Sequence, residues 1–234
     1  MGRHFEVRAA AMAASAKAKS AIYMRASKEI YAAAKSGIPD PDSNLALRSA
    51  IEKYRKSTPR DVIERAIEKA KGGDNVAYIE GRYEFLTSGG AYLIVDTMTD
   101  NVNRALVSVR TICTRKGAKM GSVAYNFNTS GVIDFKGTDR QGVEDNLVLG
   151  DVDVTSVTED GGEIEVLVNP SDLEKAKGVL GGMGVTEFDT AEVTLIPNDY
   201  ITLEGDDLEK FKTMLSELNE CEDVQNVYHN VENA

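Results

Sequence analysis

The side-chain period changes near Ala77, and the change decides the class of this chain. Up to Lys71 apolar residues recur at helical spacing only; from Ala77 alternating stretches enter between the helices. Ile22, Ala26, Ile30 and Ala33 trace one face of a helix over residues 20–35. Gly37-Ile38-Pro39-Asp40-Pro41 stops it, because prolines cannot continue the hydrogen-bond ladder. Leu47, Ala50, Ile51 and Tyr54, at i, i+3, i+4 and i+7, predict a second helix over 44–56. Thr58-Pro59-Arg60-Asp61 reads as an N-cap, a proline at the first helical position and an acid two residues later. That opens a third helix over 59–71, with Val62, Ile63, Ala66, Ile67 and Ala70 inward and Gly72-Gly73 at its end. Short connections predict that the three pack as one small domain. Residues 1–19, MGRHFEVRAAAMAASAKAK, favour helix but hold almost no large apolar side chain. They read as a tail that orders on a partner, or as a solvated extension of the first helix.

Beyond Ala77, residues 78–85 and 91–98 alternate and join through Ser88-Gly89-Gly90 as a strand pair. Asp100 or Asn101 caps a helix with Val102, Leu106, Val109 and Cys113 inward, and a strand follows at 122–128. The next block has its own rhythm. It runs strand 131–136, helix 139–149, a hairpin of 151–157 and 163–168 across Asp160-Gly161-Gly162, a helix, and strand 186–196. Ser171-Asp172-Leu173-Glu174 reads as a capping box for that second helix. The order βαββαβ is the ferredoxin-like unit. A short strand at 200–203, a helix at 206–219 and a strand at 224–228 combine with 91–128 into a second such unit. The expected class is therefore α+β: an N-terminal three-helix domain followed by two ferredoxin-like βαββαβ domains, one inserted in the other. The expected spans are 1–75, 76–129 plus 198–234, and 130–197.

Charge divides the chain as sharply as period does. Residues 1–71 hold 15 Lys+Arg against 8 Asp+Glu, +7; the other 163 hold 12 against 30, −18; the sum is −11. Such a split points to a nucleic-acid-facing module on an acidic body, which confines any phosphate contact to one region. The candidate contacts are Arg3, Lys17, Lys19, Arg25, Lys28, Lys35, Arg48, Lys53, Arg55, Lys56, Arg60 and Arg65. Lys53, Arg55, Lys56 and Arg60 gather at the turn before the third helix, whose N-terminal amides favour anions. The competing reading of this set is an ordinary solvated helical face. Asn101, Asn103, Arg104, Thr111 and Arg115 form a second candidate, a polar docking stripe or interdomain hinge. Capping explains Asp100 and Asn101 but not Asn103 or Arg104.

The sequence supplies little for catalysis. Its two histidines, His4 and His229, have no partner carboxylate at helical spacing, and no G-x-x-x-x-G-K occurs. Gly-Gly pairs at 72, 89, 161 and 181 suit helix ends and hairpins. Asp206-Asp207 and Glu220-Glu222-Asp223 read as a helix start and a strand lead-in rather than a cation site. Cys113 and Cys221 match no zinc or redox spacing and read as buried thiols. No cofactor or metal is expected. There is no run of 18 apolar residues and no signal-peptide core, so no membrane contact and a cytoplasmic location are expected. The oligomeric state stays open, with a monomer favoured.

A set of motifs then fits a known pattern. These are Met1-Gly2-Arg3, Lys28-Glu29-Ile30, Asp40-Pro41-x-x-Asn44-x-x-Leu47-Arg48-x-Ala50-Ile51, Ile63-Glu64-Arg65-Ala66-Ile67 and Arg82-Tyr83-Glu84. Thr99-Asp100-Asn101-x-Asn103-Arg104, Gly121-Ser122-Val123-Ala124 and Asp223-Val224-Gln225-Asn226-Val227-Tyr228-His229-Asn230 continue it. Together they resemble the YebC/PmpR family, in its YeeN-like branch, over essentially the whole chain. The resemblance implies three domains and no enzymatic activity. It implies a cytoplasmic transcriptional regulator that binds DNA, or a translation factor. The mitochondrial translational activator of cytochrome c oxidase belongs to this family, and bacterial relatives are linked to ribosomes stalled on proline-rich stretches. The chain departs from the pattern in an Ala-rich first segment (9–16), in Phe85-Leu86-Thr87-Ser88 after Arg-Tyr-Glu, and in a short segment between Lys116 and Gly121. The expected partner is thus DNA or structured RNA, the ribosome included. A protein-interaction module built on the acidic domains is the reading from another class.

Overall fold

The computed structural model describes residues 16–72 and 76–234. Residues 1–15, with Arg3 and most of the expected tail, lie outside them. The chain forms two compact units. One is Phe127–Asn198, against the expected 130–197; the other joins the N-terminal helices to residues 76–126 and Asp199–Ala234.

Three helices open the larger unit: α1 (Ala16–Lys35), α2 (Leu45–Tyr54) and α3 (Arg60–Lys71). They share a core of Ala26, Ile30, Tyr31, Ala34, Leu47, Ala50, Tyr54, Ile63, Ala66 and Ala70. Of the α1 stripe, Ala26 and Ile30 enter this core, while Ile22 and Ala33 are half-buried. Asn44 sets the α1–α2 turn. Its Oδ1 accepts the Leu47 amide at 3.0 Å, and its Nδ2 donates to the Ala33 and Ile38 carbonyls at 2.9 and 3.0 Å. It thus caps α2 and satisfies carbonyls at the end of α1 and in the turn beyond. The expected Thr58 cap does not form: Pro59 holds the cap position, and the buried Thr58 hydroxyl has no partner.

The first sheet holds β1 (Ile79–Leu86), β2 (Tyr92–Thr99), β3 (Lys119–Met120) and β8 (Val224–His229), in the order β3-β1-β2-β8. Every neighbouring pair is antiparallel. Helices α4 (Val102–Arg115) and α7 (Gly205–Asn219) contribute Val109, Cys113, Phe211, Met214 and Leu218 to a core with Phe85, Leu93 and Val95. The wiring differs from the expected βαββαβ. Residues 122–128 are no strand of this sheet: Ala124–Asn126 make a single 3-10 turn, and the chain then enters the other unit. The 200–203 strand shrinks to one bridge, Ile201 to Val231. The third place in the sheet goes to β1, which precedes the rest. A hairpin explains the choice, since closing a short loop costs far less entropy than recruiting a distant strand. Gly89 (φ 82°) and Gly90 (φ 81°) supply its left-handed turn. Leu93, Ile94 and Val95 are all fully buried, which marks β2 as a central strand covered on both faces.

The second unit matches its expected order: β4 (Phe127–Lys136), α5 (Arg140–Leu149), β5 (Val154–Asp160), β6 (Glu163–Val168), α6 (Leu173–Gly182) and β7 (Thr190–Pro197). The sheet order β5-β6-β4-β7, all antiparallel, is that of a ferredoxin-like unit. Its ends are neighbours: Phe127 pairs with Pro197, and Asn128 Nδ2 donates to Asn198 Oδ1 at 2.7 Å. The expected 171–174 capping box does not form. Pro170–Asp172 make a 3-10 turn whose amide at Ser171 bonds Asn169 Oδ1, while the Asp172 carboxylate accepts the Asp153 N–H at 2.8 Å. Among the described residues no helix is long and apolar enough to cross a membrane.

Asn44→Ala should lower stability by about 2 kcal/mol, since it removes a cap and two buried side-chain hydrogen bonds. Asn44→Asp keeps the cap acceptor but sets a carboxylate oxygen against the Ala33 and Ile38 carbonyls, so it should lose at least as much. Urea unfolding midpoints at constant slope check the ranking.

Candidate nucleic-acid interface

The helical candidates separate into two groups. Arg25, Lys28 and Lys53 are directed at the protein itself. The Arg25 guanidinium donates from Nε to the Val224 carbonyl (2.7 Å) and from Nη2 to the Asn219 carbonyl (2.7 Å). Those acceptors lie at the end of α7 and the start of β8, where helix carbonyls lack intrahelical partners and the helix dipole favours a cation. Lys28 is 8% exposed, and its Nζ donates to the Met98 and Glu222 carbonyls at 3.1 and 2.7 Å. It also lies 3.5 Å from the buried Asp223. Lys53 is half-buried, 3.1 Å from both Glu29 oxygens. Assigning Arg25, Lys28 and Lys53 to phosphate is therefore corrected. They are cations that satisfy backbone carbonyls and carboxylates inside the unit.

A polar lock sits beside them. The Tyr54 hydroxyl donates to Glu29 Oε2 at 2.7 Å, and Gln225 Nε2 donates to Glu29 Oε2 (2.7 Å) and to Tyr54 Oη (2.9 Å). Burial, and then the Glu29 charge, push the Tyr54 hydroxyl far above its ordinary range. The secondary stripe resolves in the same way. Asn101 is the N-cap of α4, its Oδ1 accepting the Arg104 amide at 3.0 Å. The Arg104 side chain grips Asp223 bidentately (2.8 and 2.7 Å) and reaches Asp100 at 2.8 Å, which corrects its place in a docking stripe. Burial alone would raise the Asp223 carboxyl; Arg104, Thr99 and Lys28 hold it below its ordinary range instead. Asn103 and Thr111 are exposed, and Arg115 lies 3.9 Å from Glu217.

The second group faces solvent. Lys19, Lys35, Arg48, Arg55, Lys56, Arg60 and Arg65 are all exposed; the side chain of Lys17 lies outside the described residues. Arg48 bonds the Pro41 and Asp42 carbonyls at 3.2 and 3.0 Å, and Lys35 the Gly72 carbonyl at 3.3 Å. Arg60 pairs with Glu64 at 2.7 Å and Arg65 with Asp61, both i,i+4 pairs on the surface of α3. Such pairs are worth only about 0.3–0.5 kcal/mol, so phosphate can compete for these cations. By contrast, the cleft lined by Glu29, Glu80, Arg82, Asp96 and Gln225 sets three carboxylates against one guanidinium. That guanidinium is itself paired with Asp96 at 2.7 and 2.8 Å, so the cleft repels phosphate.

His229 is half-buried at the edge of the core. Its ring meets Phe211 edge-on at 5.3 Å, and its Nδ1 accepts the Val231 amide at 3.3 Å. Burial lowers its pKa from 6.5 to about 4. Cys113 is fully buried and its thiol is pushed up to about 12 by that burial; Cys221 is only half-buried. Among the described residues no group of three or more His, Cys, Asp and Glu side chains is placed to hold a metal ion.

Two measurements follow from these placements. Arg25→Ala should cost about 3 kcal/mol of stability by orphaning buried carbonyls, and should leave the salt dependence of nucleic-acid binding unchanged. Below pH 6.5 the unfolded chain takes up a proton on His229 that the folded chain refuses until about pH 4. Stability should therefore fall across that window by about 3 kcal/mol and level off below it. His229→Gln should lack that component in denaturation series run from pH 7 to pH 4.

Comparison with known proteins places this geometry. Residues 3–73 match the family described as TACO1/YebC protein N-terminal domain, and residues 78–231 the TACO1/YebC second and third domain. The chain is 43% identical over 237 residues to the "Probable transcriptional regulatory protein YeeN" of Escherichia coli (strain K12), and 42% to that of Shigella sonnei (strain Ss046). All of each chain is covered in both cases. The crystal structure of the conserved hypothetical protein Aq1575 from Aquifex aeolicus superposes with a TM-score of 0.75 at 27% identity, covering 91% of this chain and 89% of that one. With two family matches that together run almost end to end, the chain belongs to the TACO1/YebC family.

Proposed function

We propose that this protein is a non-enzymatic, cytoplasmic regulator of gene expression that binds nucleic acid through the exposed cations of α2, α3 and the turn between them. The observation that carries the reading is the sorting of the basic residues. Arg25, Lys28 and Lys53 hold the unit together, while Arg48, Arg55, Lys56, Arg60 and Arg65 face solvent. These solvent-facing cations belong to a chain of net charge −11. The relatives' name, a transcriptional regulatory protein, supports DNA as the target. The surface of α3 supports a second reading. Its outward cations alternate with Asp61, Glu64 and Glu68. A helix laid in the major groove would bring those carboxylates near phosphate, whereas contact at the α2–α3 turn reads shape and backbone, as in folded RNA. On that reading the protein acts in translation, at the ribosome.

Replacing Arg55, Lys56 and Arg60 together by Glu should weaken nucleic-acid binding about tenfold or more. It should also lower the slope of log affinity against log salt by about one per lost contact. Unfolding midpoints should not move, because all three side chains are exposed. Unchanged binding would sink the proposal in favour of a protein-interaction module. Crosslinking in cells, with sequencing of bound DNA and RNA, separates the two targets: promoter enrichment supports transcription, and rRNA or tRNA enrichment without it supports translation.

A further inference from the structure

Residues 101–126 carry Arg104, Arg110, Arg115, Lys116 and Lys119 and not one Asp or Glu. Three of these cations are paired, Arg104 with Asp223 and both Lys116 (3.2 Å) and Arg115 (3.9 Å) with Glu217. The far end of the run shows a different feature, an aromatic ring held out into solvent. Strand β3 pairs Lys119 with Leu86 and Met120 with Phe85 at the edge of the sheet. The Gly121 amide then donates to the Glu84 carbonyl at 3.1 Å. The Glu84 carboxylate accepts two further amides, Val123 at 2.6 Å and Ala124 at 2.8 Å, and so fixes the 3-10 turn Ala124–Asn126. Val123 turns inward, 2% exposed, while Tyr125 is left 75% exposed.

The turn is fixed by two carboxylate hydrogen bonds and still presents a large ring to solvent. Alternate residues of a strand share a face, and paired residues lie side by side, so Leu86 and Lys119 stand on the face of Glu84. Leu86 is 44% exposed and Met120 51%. The Glu84 carboxylate is held by two N–H groups, and the exposed Lys119 ammonium stands beside it as the cation of this edge. A planar ring with an apolar shoulder and a cation, in a segment free of acids, matches one nucleotide: base on ring, phosphate on ammonium. A duplex cannot use it, since its bases are already stacked and paired.

We propose that Tyr125, Lys119 and Leu86 form a second nucleic-acid contact, separate from the helical one, that takes an unpaired nucleotide by stacking on Tyr125. It rests on the reading that the chain binds nucleic acid, and it narrows the target to one with a single-stranded loop or end.

The test uses the full chain with fluorescein-labelled single-stranded RNA, single-stranded DNA of the same sequence, and the corresponding duplex. Tyr125→Ala should weaken binding to single strands about tenfold, and Tyr125→Phe by less than about twofold, because the ring is what stacks. Neither should change duplex binding. The arm with the larger loss identifies RNA or DNA as the source of the nucleotide. The sequence has no Trp, so Tyr125→Trp places a sole indole at the contact. Its fluorescence should be quenched by single strands and not by duplex. Unchanged affinity of Tyr125→Ala for both single strands overturns the proposal, as does an equal loss on duplex. A Tyr125→Trp signal that answers an apolar peptide but no single strand overturns it too. If charge reversal at Arg55, Lys56 and Arg60 weakens binding while Tyr125→Ala does not, only this contact falls; if neither does, the helical reading falls with it.

Discussion

Two basic side chains of α1 hold the larger unit together by bonding to main-chain oxygen. Arg25 closes the carbonyl end of α7, and Lys28 reaches carbonyls at the end of β2 and in the α7–β8 turn. A buried cation is costly unless each donor finds an acceptor, and a helix end is costly unless its carbonyls find donors. Each deficit cancels the other here. The Glu29–Tyr54–Gln225 lock and the Arg104–Asp223 pair extend the same polar seam. Apolar burial supplies most of the stabilisation in such a unit, but it is not directional; the seam sets the position of the helices against the sheet.

Charge that is satisfied internally cannot also bind phosphate, so the seam defines the functional surface by subtraction. What remains exposed on the helical part is Lys19, Lys35, Lys69 and Lys71 together with the Arg48–Arg65 group. The acidity is also unevenly spread. The inserted unit, residues 127–198, holds 4 Lys+Arg against 15 Asp+Glu, −11, and the rest of the chain holds 23 against 23. The insertion therefore carries a charge equal to that of the whole protein and repels phosphate from its own surface. The remainder is balanced in sum, and the distribution of its cations decides where an anion can settle.

Much of this was legible from residues alone, and the misses have physical causes. Period and punctuation located the helices and the inserted βαββαβ order, because Gly-Gly and Pro break the pattern where the chain turns. The first sheet was miswired. The hairpin of 78–85 and 91–98 is readable as a pair, but sequence gives no sign that its first strand takes the sheet position of the later strand expected at 200–203. Thr58 and Ser171 carry the right residues for caps that Pro59 and Asn169 pre-empt. Arg25 and Lys28 were counted as solvent cations because their acceptors are main-chain carbonyls, which leave no mark in a sequence. Arg104 differs in kind: capping does not explain it, and its partner Asp223 lies 119 positions further along the chain. Tyr125 was missed since exposure of a single aromatic has no period, although the acid-free run around it could have been counted.

Arg25 and its acceptor at Val224 stand 199 positions apart. On a chain made from its N-terminus, α1 leaves the ribosome long before α7 and β8 exist, and the carbonyls that would hold it are nearly the last to be made. Until then Arg25 has none of these acceptors, and Lys28 has only the Met98 carbonyl. Completion of β8 withdraws those two cations. The fold thus withdraws these two positive charges from solvent only as its last strand is made.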